Sequence, residues 1–499
     1  MFLTGSVQYI LKVRWCRNTA CSAYRQPLRP EVEGALALPH SEYGLDILAL
    51  IGALRYGHHR SVPEIYAHLR ERTIEISART VTLLMHRYEE LLALRLMDAS
   101  QLHAKLRVRG HVMLAIDGLQ PDLGHEVLWV LRDVLSGEVL LARALLGSGE
   151  DQLVLLLQEV MQALGDTLPI LGVISDGQRS IRNAVQQVLP GVPHQLYQCH
   201  FLRETARPIF EAERHAKVTL KKNLRGIRKI ERSLEARQDR HASVLTSYCL
   251  AVRSALTDDG RPPLVASGLR LQGRITGIEA SLSRVIDAQK GGFEKPDREL
   301  IKLQAHLQRA VHATQGAWPE IEAAHRLVLH AAQVLGNPGD EAAPVVKRQF
   351  ERVVHRMTLE ASRPGSLAEP LLHFLKVQQR YGSQLFATYQ VPGLPRTNND
   401  LEQFFGAARY HERRITGRKS AAPSTVIWGQ VRLIAAFGTR LCAKAAADLR
   451  PPCVATWRDL RAQLDVRHEA RRQQLRFRRD STAFLQQLEL QYLKPALPS

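Results

Sequence analysis

The chain has 499 residues, 45% of them hydrophobic, with 68 Lys and Arg against 49 Asp and Glu, a formal net charge of +19. That apolar fraction supports buried cores and excludes a wholly disordered chain, and no apolar run is long enough to span a bilayer. The positive surplus asks for an anionic partner, and nucleic acid leads on charge alone.

Residues 1–40 read as an irregular segment. Their start, MFLTGSVQYILKVRW, has no basic leader, which predicts no secretory signal. Cysteines 16, 21, 199, 249, 442 and 453 are scattered, which suits a reducing cytosol and predicts a cytoplasmic protein, nucleoid-associated if its anionic partner is DNA. Cys16 and Cys21 have the spacing of half a zinc site. His40 alone does not complete it, so a degenerate or ordinary loop stands beside that reading.

Residues 41–105 read as helices. Positions 45, 47, 48, 50, 51 and 54 are apolar, as a mostly buried helix requires. Ser61-Val-Pro-Glu64 is a capping-box pattern with proline just inside the start. A break at 73–76 follows, and Ser77 caps a longer helix. The expectation is a helix-turn-helix DNA-binding domain in which Arg79, Thr80 and Thr82 face a groove, with His86 and Arg87 further along. A helical cap on the next domain is the plainer alternative.

From 110 the period changes. HVMLAIDG, EVLWVLRD and EVLLARALLG predict three short antiparallel strands. A helix over 150–164, a buried strand LPILGVISDG, a helix over 180–189 and a short strand HQLYQCHF complete an α/β pattern over 106–201. Residues 202–395 read as an all-helical insertion. The segment VPGLPRTNND leads into a helix near 401 within 396–445, and 446–499 is helical and basic.

Asp117 ends the first predicted strand and Asp176 the fourth. A carboxylate at the tip of an apolar strand is costly unless it meets solvent, a cation or a basic partner. With the two strands side by side, both acids would reach one cation. Two ordinary Asp-Gly turns are the alternative.

AIDG, three strands, VISDG with its helix, a helical stretch and then TNNDLE together resemble a DDE transposase. More narrowly, they resemble the Mutator-like and related bacterial insertion-sequence enzymes. The resemblance covers roughly 110–201 and 396–420. It implies an α/β ribonuclease-H-like core interrupted by a large all-α insertion, with the helix-turn-helix domain in front and a helical C-terminus behind. It places the catalytic, metal-holding acids at Asp117, Asp176 and Glu402, and implies two Mg²⁺ (or Mn²⁺) ions. The family's Cys-x-x-His tetrad aligns with Tyr197-Gln198-Cys199-His200, where only His200 matches. Asp133, Asp400 and Glu412 are alternative third acids. Asn398 and Asn399 read as helix caps or as contacts to DNA backbone, capping being the simpler reading.

The implied chemistry is in-line displacement at phosphorus, in which two divalent ions activate the attacking oxygen and stabilise the leaving one. The partners are double-stranded DNA, at element ends and target, and a second copy or more of the chain on that DNA. Two other readings stay open: a sequence-specific regulator with an inactive core, and a metal-dependent nuclease that does not join.

Basic side chains supply the expected DNA surface. Arg214, Lys217, Lys221, Lys222, Arg225, Arg228, Lys229 and Arg232 fall in an arc of about 140° when read as one helix. Leu220, Leu224, Ile227 and Ile230 lie on the other side. Arg413, Arg414, Arg418 and Lys419 follow Glu402 closely. Arg471, Arg472, Arg476, Arg478 and Arg479 flank the polar tail.

Overall fold

The computed structural model describes residues 1–8, 10–28, 30, 34–96, 99–119, 127–260, 264–290, 296–363, 365, 367–417, 428–441 and 443–493. Arg418 and Lys419 therefore lie outside the described residues. The chain divides into two compact units, one of 1–194 with 398–499 and one of 195–397.

In the first unit the apolar positions of α1 (Leu45–Gly52) continue into a π-helical turn, Ala53–Gly57. α2 (Val62–Glu71) opens with a formed capping box, in which Glu64 accepts from the Ser61 backbone N–H at 2.7 Å. Ser77 accepts from the Thr80 N–H at 3.0 Å and starts α3 (Ala78–Leu96). Leu45, Ile47, Leu48, Ile65, Leu69, Val81, Leu84 and Tyr88 join one core. Gly52 is required there: a Cβ would lie 2.1 Å from the Tyr88 ring. α4 (Ala99–Arg107) leads to the sheet.

The sheet has five strands: β1 (Val112–Leu119), β2 (Val127–Asp133), β3 (Val139–Leu145), β4 (Ile170–Ser175) and β5 (His194–Leu196), in the order β3-β2-β1-β4-β5. β1 pairs antiparallel with β2 and parallel with β4. The parallel pairing requires a crossover, which α5 (Glu150–Leu164) supplies. α6 (Arg179–Val188) follows β4. Val112, Leu114 and Ile116 pack with Leu153, Leu157, Ile181 and Val185 on one face. On the other face Leu119, Leu128 and Val130 pack with Leu401 and Phe405 of α15 (Asn399–Thr416) and Leu433 of α16 (Gly429–Leu441). Two long helices close the unit, α17 (Val454–Arg479) and α18 (Ser481–Leu493).

The second unit is a helical assembly, α7 (Gln198–Asn223), α8 (Ile227–Glu235), α9 (Arg240–Thr257), α10 (Ser267–Lys290), α11 (Arg298–His312), α12 (Trp318–Gly336), α13 (Ala343–Ala361) and α14 (Ala368–Tyr381). Phe201, Phe350 and Phe374 sit at its centre, with Phe201 and Phe374 rings 5.8 Å apart.

Three expectations are corrected. The α/β ribonuclease-H-like core with a large all-α insertion, a helix-turn-helix domain and a helical C-terminus does not describe this architecture. Helices take up 66% of the chain, and beside a two-residue ladder (Arg14–Trp15 with Pro27–Leu28) the described residues form one small mixed sheet. This is a helical protein with one small sheet. The Leu, Ala, Arg, Glu and Gln that dominate elsewhere are strong helix formers, and they outweigh a few short β-rich runs. Second, HQLYQCHF is not one strand. It ends at Leu196 and α7 starts at Gln198, so His200 sits in a first helical turn. Third, the basic stripe is not one helix, because Gly226 at φ 114° separates α7 from α8.

Candidate active site

Backbone register sets the first two acids. Ile116 is paired with Ser175 at the end of the β1/β4 ladder, so Asp117 and Asp176 are each one residue beyond it. Adjacent strands run about 4.8 Å apart. Asp117 is opposite Val130 on β2 and by alternation shares the face of Leu119. That face is covered by α15. Leu401 and Phe405, four apart, anchor the helix on the sheet, and Glu402 sits on the turn between them, half-buried.

Asp117 feels the charges of both other acids. Asp117 is pushed up to about 7, first by burial and then by the negative charges of Asp176 and Glu402; the Gly118 N–H, donating at 2.8 Å, and Arg409 oppose the rise. Asp176 accepts from the Gln178 N–H at 3.0 Å, which fixes the turn after β4. Ser175 donates to the Asp176 carbonyl at 2.8 Å and lies 2.8 Å from His194 Nε2. Burial holds His194 down at about 4, so it is neutral near pH 7.

Arg409 was not singled out by the sequence. It is seven residues after Glu402, hence on the same side of α15. That heptad offset was the signal available. Two of the alternative acids are placed elsewhere, and the side chain of Asp400 lies outside the described residues. Asp133 is fully buried and accepts from the Met113 and Ser136 N–H groups at 2.9 and 2.7 Å, a structural turn. Glu412 faces Arg432 at 3.8 Å. Asn398 supplies the carbonyl that starts α15, accepting from Glu402 N–H at 3.0 Å.

His200 belongs to the second unit, its ring 5.2 Å from Tyr197. Of the expected groove-facing residues on α3, Arg79 is exposed. The Thr80 and Thr82 hydroxyls are engaged locally, with Ser77 Oγ at 2.8 Å and the Ala78 carbonyl at 3.2 Å. His86 turns inward against Trp428, rings 4.3 Å apart, and Arg87 pairs with Glu90. Arg414 pairs with Glu64 at 2.8 Å, while Arg413 is exposed.

In the second unit Lys217 pairs with Asp259, Lys221 approaches the same carboxylate at 3.9 Å, and Arg228 meets Glu231 and Glu235 at 3.2 and 2.8 Å. Arg214, Lys222, Arg225, Lys229 and Arg232 are exposed and make no ion pair among the described residues.

The donor set suits a hard cation, since Asp117, Asp176 and Glu402 offer carboxylate oxygens whose mutual repulsion a cation would relieve. As the side chains stand, no set of three or more His, Cys, Asp or Glu groups among the described residues is gathered tightly enough to hold a metal ion, and this includes Cys16 and Cys21. No helix among the described residues is long and apolar enough to cross a membrane.

Protein-family models do not match the chain. No curated protein matches it either. The resemblance therefore rests on the sequence motifs alone.

Proposed function

We propose that the protein is a DNA transposase, cutting and rejoining phosphodiesters with divalent cations held by Asp117, Asp176 and Glu402. The observation that carries this is the placement of three acids distant in sequence: Asp117 and Asp176 each stand one residue past the paired ends of β1 and β4, and Glu402 is on the helix that covers that face. Burial first, and then the charges of Asp176 and Glu402, raise the Asp117 carboxyl in a protein with +19 net charge. Like charges gathered in this way need a proton or a cation. Bound Mg²⁺ or Mn²⁺ would supply Lewis acidity at the scissile phosphate. The chain's own residues do the rest. Asp117 and Asp176 project from paired strand ends, Glu402 closes the site from α15, and Arg409 brings a positive charge beside it. Water breaks the bond between phosphorus and O3′, leaving a 3′-hydroxyl. That hydroxyl then attacks a target phosphodiester and displaces a target 3′-oxygen, so bonds broken and formed balance without ATP.

The test is incubation of the purified protein with Mg²⁺ or Mn²⁺ and DNA carrying the element's own ends, scoring nicks and joined products. Asp176→Asn and Glu402→Gln are each expected to remove both products while gel-shift affinity changes less than about threefold. Cleavage without joining would reassign the protein as a nuclease. Binding with neither product in the parent protein would favour a regulator, the reading that the open arrangement of the acids supports.

DNA binding is assigned to the unpaired cations. Replacing Lys222, Arg225, Lys229 and Arg232 together by Gln should flatten the slope of log affinity against log salt by up to about 3.6, near 0.9 for each phosphate no longer neutralised. Replacing Lys217, Lys221 and Arg228, which already face carboxylates, should change the slope by less than about 1. Equal slopes for the two sets would remove the stripe from the DNA surface.

A further inference from the structure

Asp117 and Asp176 are held by different means. Asp117 lies inside the β1/β2 ladder, opposite Val130. Asp176 stands one residue past Ser175, which is the last residue of β4 and belongs to the last pair of the β1/β4 ladder. A carboxylate in that position needs its backbone fixed by something other than this ladder.

Ser175 is a fully buried hydroxyl closing the otherwise apolar run ILGVIS. Its Oγ donates to the Asp176 carbonyl at 2.8 Å and lies 2.8 Å from Nε2 of His194, the first residue of β5. Register brings the two side chains together, because β5 is next to β4 and the Val173 N–H donates to the Pro193 carbonyl at 2.9 Å. His194 is only 8% exposed, and its Nδ1 is buried with no hydrogen-bond partner among the described residues. Burial, and then the charge of Arg182, disfavour the imidazolium, so only one ring nitrogen carries a proton. A buried N–H without an acceptor is rarer than an idle lone pair. The proton therefore belongs on Nε2, which donates to Ser175 Oγ, and the serine hydrogen is left for the Asp176 carbonyl. The Gln178 N–H holds the Asp176 carboxylate at 3.0 Å, so both ends of that residue are pinned.

We infer that His194 is a positioning residue for Asp176, acting through the Ser175 hydroxyl to hold the turn after β4 where the carboxylate can be presented to a divalent cation. The cation part rests on the transposase reading; the hold on the turn does not. Partners that orient a metal-holding side chain commonly set metal affinity by about 10–100-fold.

The experiment reads the turn first without metal and then with Mn²⁺ alone. Hydrogen exchange of the full metal-free chain is followed at peptides spanning 174–180, with β1 as the control. His194→Asn, whose amide replaces Nδ1 and falls short of Ser175, should speed exchange of the turn at least about tenfold and leave β1 unchanged. His194→Gln, whose amide replaces Nε2, should keep the parent rate. Mn²⁺ binding, read from the EPR signal of the free ion, should weaken at least about tenfold in His194→Asn and in Ser175→Ala, and less than about twofold in His194→Gln. Ser175→Ala combined with His194→Asn should be no worse than Ser175→Ala, as a single relay requires. Parent-like turn exchange in His194→Asn, a Gln variant as damaged as the Asn one, or an Mn²⁺ affinity that ignores a loosened turn would each overturn the inference. A parent without affinity for Mn²⁺ would overturn the three acids as metal ligands and the cation-presenting role with them, while the exchange comparison still decides the relay.

Discussion

Asp117→Asn is expected to lower metal-dependent DNA cleavage on the order of 10³-fold and, at the same time, to stabilise the metal-free protein at alkaline pH. The two effects share a cause. In the fold the Asp117 carboxyl titrates near 7, against 3.8 in the open chain, because burial and then Asp176 and Glu402 disfavour its charge. Between those values the folded protein holds a proton that the unfolded chain has released. Stability therefore falls as pH rises through this window, and the cost is complete above about 7. Asparagine carries no charge, so the variant should match the parent at pH 4. It should exceed the parent at pH 8 by about 1–3 kcal/mol, a figure reduced for the partial solvent access of the carboxyl. Urea denaturation at the two pH values reads this directly. Excess Mn²⁺ should reverse the order at pH 8 by stabilising the parent more than the variant. Retained cleavage would remove Asp117 from the chemistry. Equal stability at pH 8 would show that its carboxyl is not strained by its neighbours.

The sequence carried the local parts of this site and missed the parts that only tertiary structure creates. Asp117 and Asp176 were legible because an acid at the end of an apolar run breaks a strong pattern; that their strands are neighbours was only a supposition, and their parallel pairing is a fact of the structure. Glu402 came from the TNNDLE resemblance. Its approach to the other acids depends on Leu401 and Phe405 seating α15 on the sheet, which no local pattern encodes. The overall architecture was misjudged for the opposite reason. Short β-rich runs give a vivid signal, yet they occupy little of a chain whose remaining sequence favours helix. The basic stripe failed at Gly226, where a single left-handed residue ends the rotation that aligned eight cations. Three of them, Lys217, Lys221 and Arg228, then turn to face carboxylates.

The least legible feature is a set of charges buried among helices of the first unit. Arg432 of α16, its side chain 11% exposed, reaches Glu89 of α3 at 3.3 Å and Glu412 of α15 at 3.8 Å. Tyr56 donates to the same Glu89. Burial works against the guanidinium charge, but Glu89, Tyr56 and Glu412 together hold it above its ordinary value. The His59 and His411 Nδ1 atoms lie 2.9 Å apart beside them, just after the π-helical turn and on α15. Removing Arg432 takes away the cation that reaches both buried carboxylates and leaves them only the more distant charge of Arg55. Arg432→Met is thus expected to destabilise the first unit by about 3–5 kcal/mol, read as a fall in its denaturant midpoint. Adding Glu89→Gln should return part of the loss, with a coupling of about 1–3 kcal/mol. The effect should reach the site as well. Glu412 lies ten residues along α15 from Glu402, about 15 Å at 1.5 Å per residue. A helix released at that end no longer holds Glu402 against the strand tips, so turnover should fall more than tenfold in folded Arg432→Met while the salt slope of DNA binding, carried by other helices, stays the same. A single variant that melts like the parent would mean that the buried charges do not bind these helices together.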